Sequence, residues 1–446
     1  MKNRVIAVFD IGKTNKKIIL FNDKMKILYE SEQKFPEVKD DDGYECDDLE
    51  QIEKWIKSTI KKLVQSDKYD LTDINFTTYG ATLVCLDKEG RRVTPAYNYL
   101  RTIDERIPES IYKRHGGRDE FCRRTASPAL GMLNSGMQLL WLKKEKPDLF
   151  SRIRHVLHFP QYLSYTLTGK IYSEHTSIGC HTALWDFDKM VYHQWVNTLG
   201  LELPEPVPVE TTNIVEIDGK KIRIGIGIHD SSSSLAPYFS ESKGKFILLS
   251  TGTWCINMNP FNSDILTAEQ LDKDCLCYMS INRKPVKSSR LFLGHMHETA
   301  AKLIANHFDK PEDYYKQVKY DKNLAISLKE KFREKSVFFQ DEPLSREFRE
   351  RIDMYQFKNF DMAYHQLMNE LGYLTIESVN LILPESNDIS NIYITGGFSK
   401  NEHFLNLIKD HFSKKTVYTS EISNASALGA ALVISGLKPG LNLGLN

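Results

Sequence analysis

This 446-residue sequence has no net charge to speak of, since Lys plus Arg and Asp plus Glu both number 59. Without a global field, bulk electrostatics recruits neither nucleic acid nor an anionic membrane surface, and any phosphate binding has to be local. Long apolar runs are absent too, and none approaches the length of a bilayer span. The seven cysteines are odd in number and irregularly spaced, which excludes a disulfide framework, and Cys275-x-Cys277 has no second pair to complete a zinc site. They read as reduced, buried thiols. His155, His158, His175 and His181 lack metal-ligand spacing and read as surface or hydrogen-bonded residues. No G-x-G-x-x-G follows the first apolar run, so a dinucleotide-binding dehydrogenase is not indicated. The chain enters a strand directly after MKNR with no signal-peptide pattern, and the expected compartment is the cytoplasm.

A hydrophobic fraction of 41% is enough for a proper interior, and the length implies two or three domains rather than one core. The organising stretch is VIAVFDIGKTNKK. Val5 to Val8 run into Phe9 and Asp10, the run breaks at Gly12 into a polar turn with Lys13, Thr14, Asn15, Lys16 and Lys17, and Ile18 to Phe21 follow. Two strands joined by a donor-rich turn suit a triphosphate, and an acid at the mouth suits a magnesium ion held through water. An ordinary hairpin is the alternative reading.

A third run, Ile27 to Ser31, makes an antiparallel meander. The spacing of Leu49, Ile52, Ile56, Ile60 and Leu63 predicts a helix capped by Asp47 or Asp48, and Ile74 to Thr78 a further strand. That order matches the start of a ribonuclease-H-like unit. Gly80 at a strand end marks either a close ligand or a bend. Residues 109–149 read as helical with a small-residue break at 127–136, and Pro160 to Leu167 as a helix. Ile222 to Ile228 is a β-rich run ending in His229-Asp230 and a serine-rich start of a helix, Ser231 to Phe239. An acid there occupies the place where open α/β sheets do chemistry, and it could take a proton from a hydroxyl; an N-cap aspartate is the alternative.

Phe246 to Ser250, then Thr251-Gly252-Thr253, then Trp254 to Met258 repeat the strand, small turn, strand device of the N-terminus. This implies an internal duplication with the second unit starting near Ser242. Residues 260–340 read as irregular apart from a helix near Glu298 to His307. A long helix, Asp361 to Leu383, follows. Asn391 to Thr395 runs into Gly396-Gly397-Phe398-Ser399-Lys400-Asn401 and an amphipathic helix. Paired glycines after a strand admit a flat ring or a phosphate, although such turns are common. The chain closes with strand Thr416 to Tyr418 and helix Ala425 to Ser435.

Together these stretches resemble the FGGY family of carbohydrate kinases, within the superfamily of actin, Hsp70 and hexokinase. DIGKTNKK resembles the first phosphate motif, STGT the second, and ITGGFSKNE the adenosine motif, in order, with His-Asp between them. TTYGATLVCLDKEG, HFPQYLSYTLTG, IHDSSSS and LSTGTW are most similar to the rhamnulokinase and fuculokinase branch. The Gln-Met-His run of xylulokinases and the Gln-Arg-Glu run of glycerol kinases are absent. The resemblance implies an α/β fold of two ribonuclease-H-like domains flanking a cleft, residues 1–241 and 242–446. It implies an ATP- and Mg2+-dependent kinase for a ketose, expected to be a 6-deoxy-ketohexose such as L-rhamnulose or L-fuculose phosphorylated at the 1-hydroxyl; L-ribulose or D-xylulose, or a sugar-binding regulator that has lost transfer, remain the alternatives.

By residue, the resemblance implies metal at Asp10, the triphosphate against Lys13, Thr14, Asn15, Lys16 and Lys17, the sugar at Gly80, His229 and Ser231, and Asp230 as the base. Gly252 and Thr253 would lie beside the phosphates, and Gly397 and Asn401 beside the adenosine. The expected partners are a small-molecule sugar and ATP, without nucleic acid or membrane, and a homodimer is left open. Three positions depart from the pattern. Lys13 stands where the family has a small residue, Thr82 where rhamnulokinases have an aspartate, and no counterpart to that branch's substrate asparagine occurs around Gly294 to His297.

Overall fold

The computed structural model describes residues 2–333, 336–340, 347–349, 351–386 and 388–436. Two large mixed sheets carry the fold. Their strands are β1 (Asn3–Ile11), β2 (Lys16–Phe21), β3 (Ile27–Gln33), β4 (Tyr69–Thr78), β5 (Thr212–Ile217), β6 (Lys220–Gly225), β7 (Ile228–His229), β8 (Phe246–Thr251), β9 (Cys255–Asn259), β10 (Cys275–Met279), β11 (Pro285–Leu291), β12 (Asn391–Gly396) and β13 (Thr416–Ser420). The first sheet runs β5-β6-β4-β1-β2-β3, with β7 beside β4; the second runs β10-β11-β9-β8-β12-β13. In each, an antiparallel meander (β1-β2-β3; β8-β9-β11) joins a parallel partner of its first strand, β4 or β12. The duplicated hairpin read from the sequence is thus the centre of each sheet.

The middles of β1 and β8, Val5 to Phe9 and Phe246 to Leu249, are continuous apolar runs because both their faces are covered. Along β1, Val5, Ala7, Phe9 and Ile11 face the helix Leu49–Val64 through Ile52, Ile56 and Ile60. Ile6 and Val8 face the other way, onto Ala427, Ala430, Ala431 and Ile434 of the helix Ala425–Ser435. Asp48, not Asp47, caps the first of these helices, accepting from the Gln51 N–H. In the second sheet, Ile247 and Leu249 pack with the helices Leu293–His307 and Phe360–Asn380, while Phe246 and Leu248 pack with Tyr238 and Tyr393. A separate cluster built from Tyr97, Tyr112, Phe121, Trp141 and Trp195 fills the region between β4 and β5.

Several expected elements differ in detail. Residues 260–340 contain two full strands, β10 and β11, and a helix, Lys322–Lys331, besides the predicted one, which itself begins at Leu293. β11 escaped notice because Lys287, Ser288 and Ser289 are polar yet buried, Ser289 being bonded to Ser378. The single helix expected over Ser231 to Phe239 is two, Asp230–Ser233 and Ala236–Glu241, divided just before Pro237, which has no N–H to continue the first. Among the described residues, no helix is long and apolar enough to cross a membrane. All seven cysteines are buried and unpaired.

The last helix returns from the second sheet to lock the first. Asn75 donates from Nδ2 to the Ala430 carbonyl at 2.9 Å. A methyl group at Gly429 would stand 1.8 Å from the Ser233 carbonyl oxygen, so backbone meets backbone there. Gly429→Ala is therefore expected to destabilise the protein by about 2 kcal/mol, an overpacking cost, read from urea unfolding. An unchanged midpoint would show that the helix can slide without penalty.

Candidate active site

The strand order sets the chemistry. Asp10, near the carboxyl end of β1, pairs with Thr77 of β4, and His229, at the end of β7, pairs with Thr78. Asp10 and the start of the helix Asp230–Ser233 therefore flank one strand. Burial first, then the neighbouring Asp230 carboxylate, pushes the Asp10 carboxyl up to about 7; Lys17 opposes the rise and Glu30 adds to it. The neighbouring Asp10 and Asp230 carboxylates, beside the buried and unpartnered Thr77 hydroxyl, form an oxygen donor set that fits a hard divalent cation.

His229 is buried and held on several sides. Its Nε2 lies 3.3 Å from Asp230 Oδ1 and 3.1 Å from Cys180 Sγ, and its backbone N–H donates to Thr176 Oγ1. Burial lowers the imidazole's proton affinity, with Asp230 pulling the other way. Behind Thr176 lies Glu174, fully enclosed, accepting from the Thr176 hydroxyl and from the backbone N–H groups of Thr176 and Ser177; burial pushes its carboxyl up to about 7. Gly80 belongs to the same cluster, since a Cβ there would stand 3.1 Å from His229 Nε2 and 3.2 Å from Cys180 Sγ. Ser231 donates from its backbone N–H to Asp230 Oδ1.

The first turn closes with the Gly12 N–H on the Asn15 carbonyl. Its lysines are anchored. Lys16 is buried, its ammonium donating to Asp47 Oδ1 and to the Lys13 carbonyl, while Lys13 donates to Asp47 Oδ2 and Glu37. Tyr79 donates to the same Asp47 oxygen at 2.6 Å. Lys17 bridges to Glu30 and Asn424. Thr14 stands exposed at the tip. Asp47 was legible only as a cap candidate; its work as the anchor of the turn shows in the fold alone.

The second turn is built differently. Gly252 and Thr253 are exposed at the end of β8, with the Gly252 N–H on the Trp254 carbonyl and the Gly294 N–H on the Thr253 carbonyl. Beside it, Gly396 has φ 87° and no room for a Cβ, which would fall 1.7 Å from the Thr251 carbonyl oxygen. Gly397 is exposed and open. Asn401 caps the helix Glu402–His411 through the Phe404 N–H and donates to the Tyr364 hydroxyl, itself 3.0 Å from His297 Nε2. The structure thus gathers Asp10, Gly80, His229, Asp230 and Ser231 on the first sheet, and Gly252, Thr253, Gly397 and Asn401 on adjacent strand ends of the second.

A sequence model of the FGGY family of carbohydrate kinases, N-terminal domain, matches residues 5–205. Residues 5–205 form an FGGY carbohydrate-kinase N-terminal domain. Over nearly its whole length the chain is 23% identical to a rhamnulokinase of Oceanobacillus iheyensis, covering 95% of this chain and 91% of that one. Its fold matches a carbohydrate kinase from Novosphingobium aromaticivorans with TM-score 0.81 at 22% identity, over 99% of this chain and 93% of that one. It also matches a xylulose kinase from Lactobacillus acidophilus with TM-score 0.74 at 16% identity, over 98% and 91%. The chain accordingly has the mixed α/β fold of these carbohydrate-kinase structures.

The raised Asp10 carboxyl fixes a sign for stability. Unfolded, it titrates near the ordinary 3.8; folded, near 7. Folding therefore takes up a proton between these values, and stability falls as pH rises through that window. Asp10→Asn, measured without divalent cation, is expected to stabilise the protein on the order of 2 kcal/mol at pH 8 and much less at pH 5. Thermal melts at the two pH values check this, and an equal shift at both would show that the Asp10 carboxyl is not raised by its surroundings.

Proposed function

We propose that this FGGY kinase transfers the γ-phosphoryl group of ATP to the terminal 1-hydroxyl of a 6-deoxy-ketohexose, L-rhamnulose or L-fuculose. The observation that carries the reading is the His229–Asp230 pair at a strand end beside Gly80 and across from Asp10. The likeness to a rhamnulokinase over nearly the whole chain supports the choice of sugar. The proposed boundary is near Ser242, with the sugar side and the base in residues 1–241 and the second phosphate and adenosine motifs in residues 242–446.

In the proposed mechanism the sugar lies against Gly80, His229 and Ser231, with its 1-hydroxyl on Asp230. Asp230 accepts the hydroxyl proton as the oxygen attacks phosphorus in line, and no covalent intermediate forms. His229 fixes the direction of that carboxylate from Nε2. Exposed donors of the two turns, the Thr14 and Thr253 hydroxyls among them, take the charge that develops on the phosphoryl oxygens, with Lys13, Lys16 and Lys17 supplying positive potential from behind the first turn. Gly397 and Asn401 hold the adenosine. Asp10 would hold a Mg2+ ion through water, which when bound neutralises phosphate charge. Closure of the cleft around the sugar excludes water and limits idle ATP hydrolysis. The reaction belongs in the cytoplasm.

A second acceptor class, a pentulose such as L-ribulose or D-xylulose, is favoured by one observation. Thr82, buried beside the Tyr79 phenol, offers no carboxylate to a sugar hydroxyl. ADP release across L-rhamnulose, L-fuculose, L-ribulose, D-xylulose and glycerol decides between the two. Asp230→Asn is expected to cut kcat by about 10²- to 10⁴-fold with the ATP dissociation constant changed less than about threefold, read from steady-state turnover and nucleotide titration. Full turnover in that variant would remove Asp230 from the role of base.

A further inference from the structure

One exposed aromatic feature of the cleft is not used by this mechanism. Trp254 follows directly on the second turn, and 42% of its surface is exposed. Its ring stacks on Phe292 at 4.4 Å and 24°, and Phe292 stacks on His295 at 4.5 Å and 22°. The pairing of β9 with β11 produces this, because Cys255 stands opposite Leu291 and so sets the preceding Trp254 beside Phe292. Arg290 flanks the stack with its guanidinium 5.7 Å from the indole, and Asp274 holds that guanidinium through Nε at 3.1 Å. A large apolar ring beside water, backed rigidly and with a cation at its edge, is unusual for a surface residue with nothing to bind.

Strand order gives the stack its side of the cleft. Across the second sheet the loops follow one another as Phe292 and Trp254 on β11 and β9, the Gly252-Thr253 turn after β8, then Gly396-Gly397 on β12. A nucleotide with its adenosine at Gly397 and its phosphates at Thr253 directs its terminal phosphate toward Trp254, where the acceptor must lie. The sugar-side residues meet this wall: Arg290 is near enough for its charge to act on Cys180 and His181, and Cys180 touches His229.

We propose that Trp254, backed by Phe292 and His295, is a specificity-determining wall of the sugar pocket that packs against the deoxygenated, methyl-bearing end of the ketose. The inference rests on the 6-deoxy-ketohexose reading above. A C6 methyl group loses water against the indole face at no polar cost, whereas a C6 hydroxyl there would give up its hydrogen bonds to water. A wall of this kind separates a methyl from a hydroxymethyl by up to about 10²-fold. Because the wall touches only the sugar, its loss leaves nucleotide binding alone.

The test is steady-state kinetics of wild type, Trp254→Ala and Trp254→Phe with paired substrates that differ only at C6: L-rhamnulose with L-fructose, and L-fuculose with L-tagatose. Trp254→Ala is expected to raise KM for the accepted 6-deoxy sugar about tenfold, to flatten its preference over the 6-hydroxy partner, and to leave KM for ATP unchanged. Trp254→Phe retains most of the preference. Either an unchanged sugar KM or a rise confined to ATP in a folded Trp254→Ala protein overturns the inference while the kinase reading stands. A wild type that phosphorylates only pentuloses, or no ketose, removes the underlying reading and the inference with it, and this shows before any variant is made.

Discussion

The site is governed by the burial of Asp10 near a second acid, Asp230, the two being set by the strand order on either side of β4. Neither position is set by local preference. Each is carried there by a strand that cannot shift its register without turning a buried apolar row toward the wrong face. The sheet overrides the repulsion because both its faces are covered, by Leu49–Val64 on one side and Ala425–Ser435 on the other. The enclosure that supplies this strength also strips water from Asp10, and this burial raises its proton affinity more than the neighbouring Asp230 does. Ionised Asp10 is therefore unfavourable in this enclosure, and a cation bound there would offset that cost.

Much of this was legible in the sequence where a residue type carries its own explanation. Continuous apolar runs at Val5 to Phe9 and Phe246 to Leu249 yield both central hairpins, and the helical spacing from Leu49 to Leu63 yields the covering helix. His229-Asp230 stood out because an acid ended a strand. What stayed hidden was held by tertiary contact. β10 is buried at every position and has no alternation to read, and β11 carries a lysine and two serines into the interior. Glu174, Thr176 and Cys180 lay in a polar stretch without a motif. Their service to His229 exists only because that stretch folds back onto β7.

The two turns, so alike in sequence as small, hydroxyl-bearing breaks between strands, are fastened by different physics. The first is drawn tight by charge: Lys13, Lys16 and Tyr79 converge on Asp47, and Lys16 is sealed from water. The second has no ion pair at its tip and is set by backbone approach. Gly294 rides over Gly252, where a Cβ would meet the carbonyl at 2.4 Å, and Gly396 crowds Thr251. An ionic staple on a buried carboxylate leaves the ammonium groups of the first turn paired with acids, Lys13 with Asp47 and Glu37 and Lys17 with Glu30, whereas a glycine staple leaves the tip of the second uncharged and exposed. A polyphosphate at these turns would thus meet charges already matched by acids at the first and a neutral, exposed tip at the second. That division suits a transferring phosphoryl group, which needs its charge attracted without being held so firmly that it cannot move to the sugar.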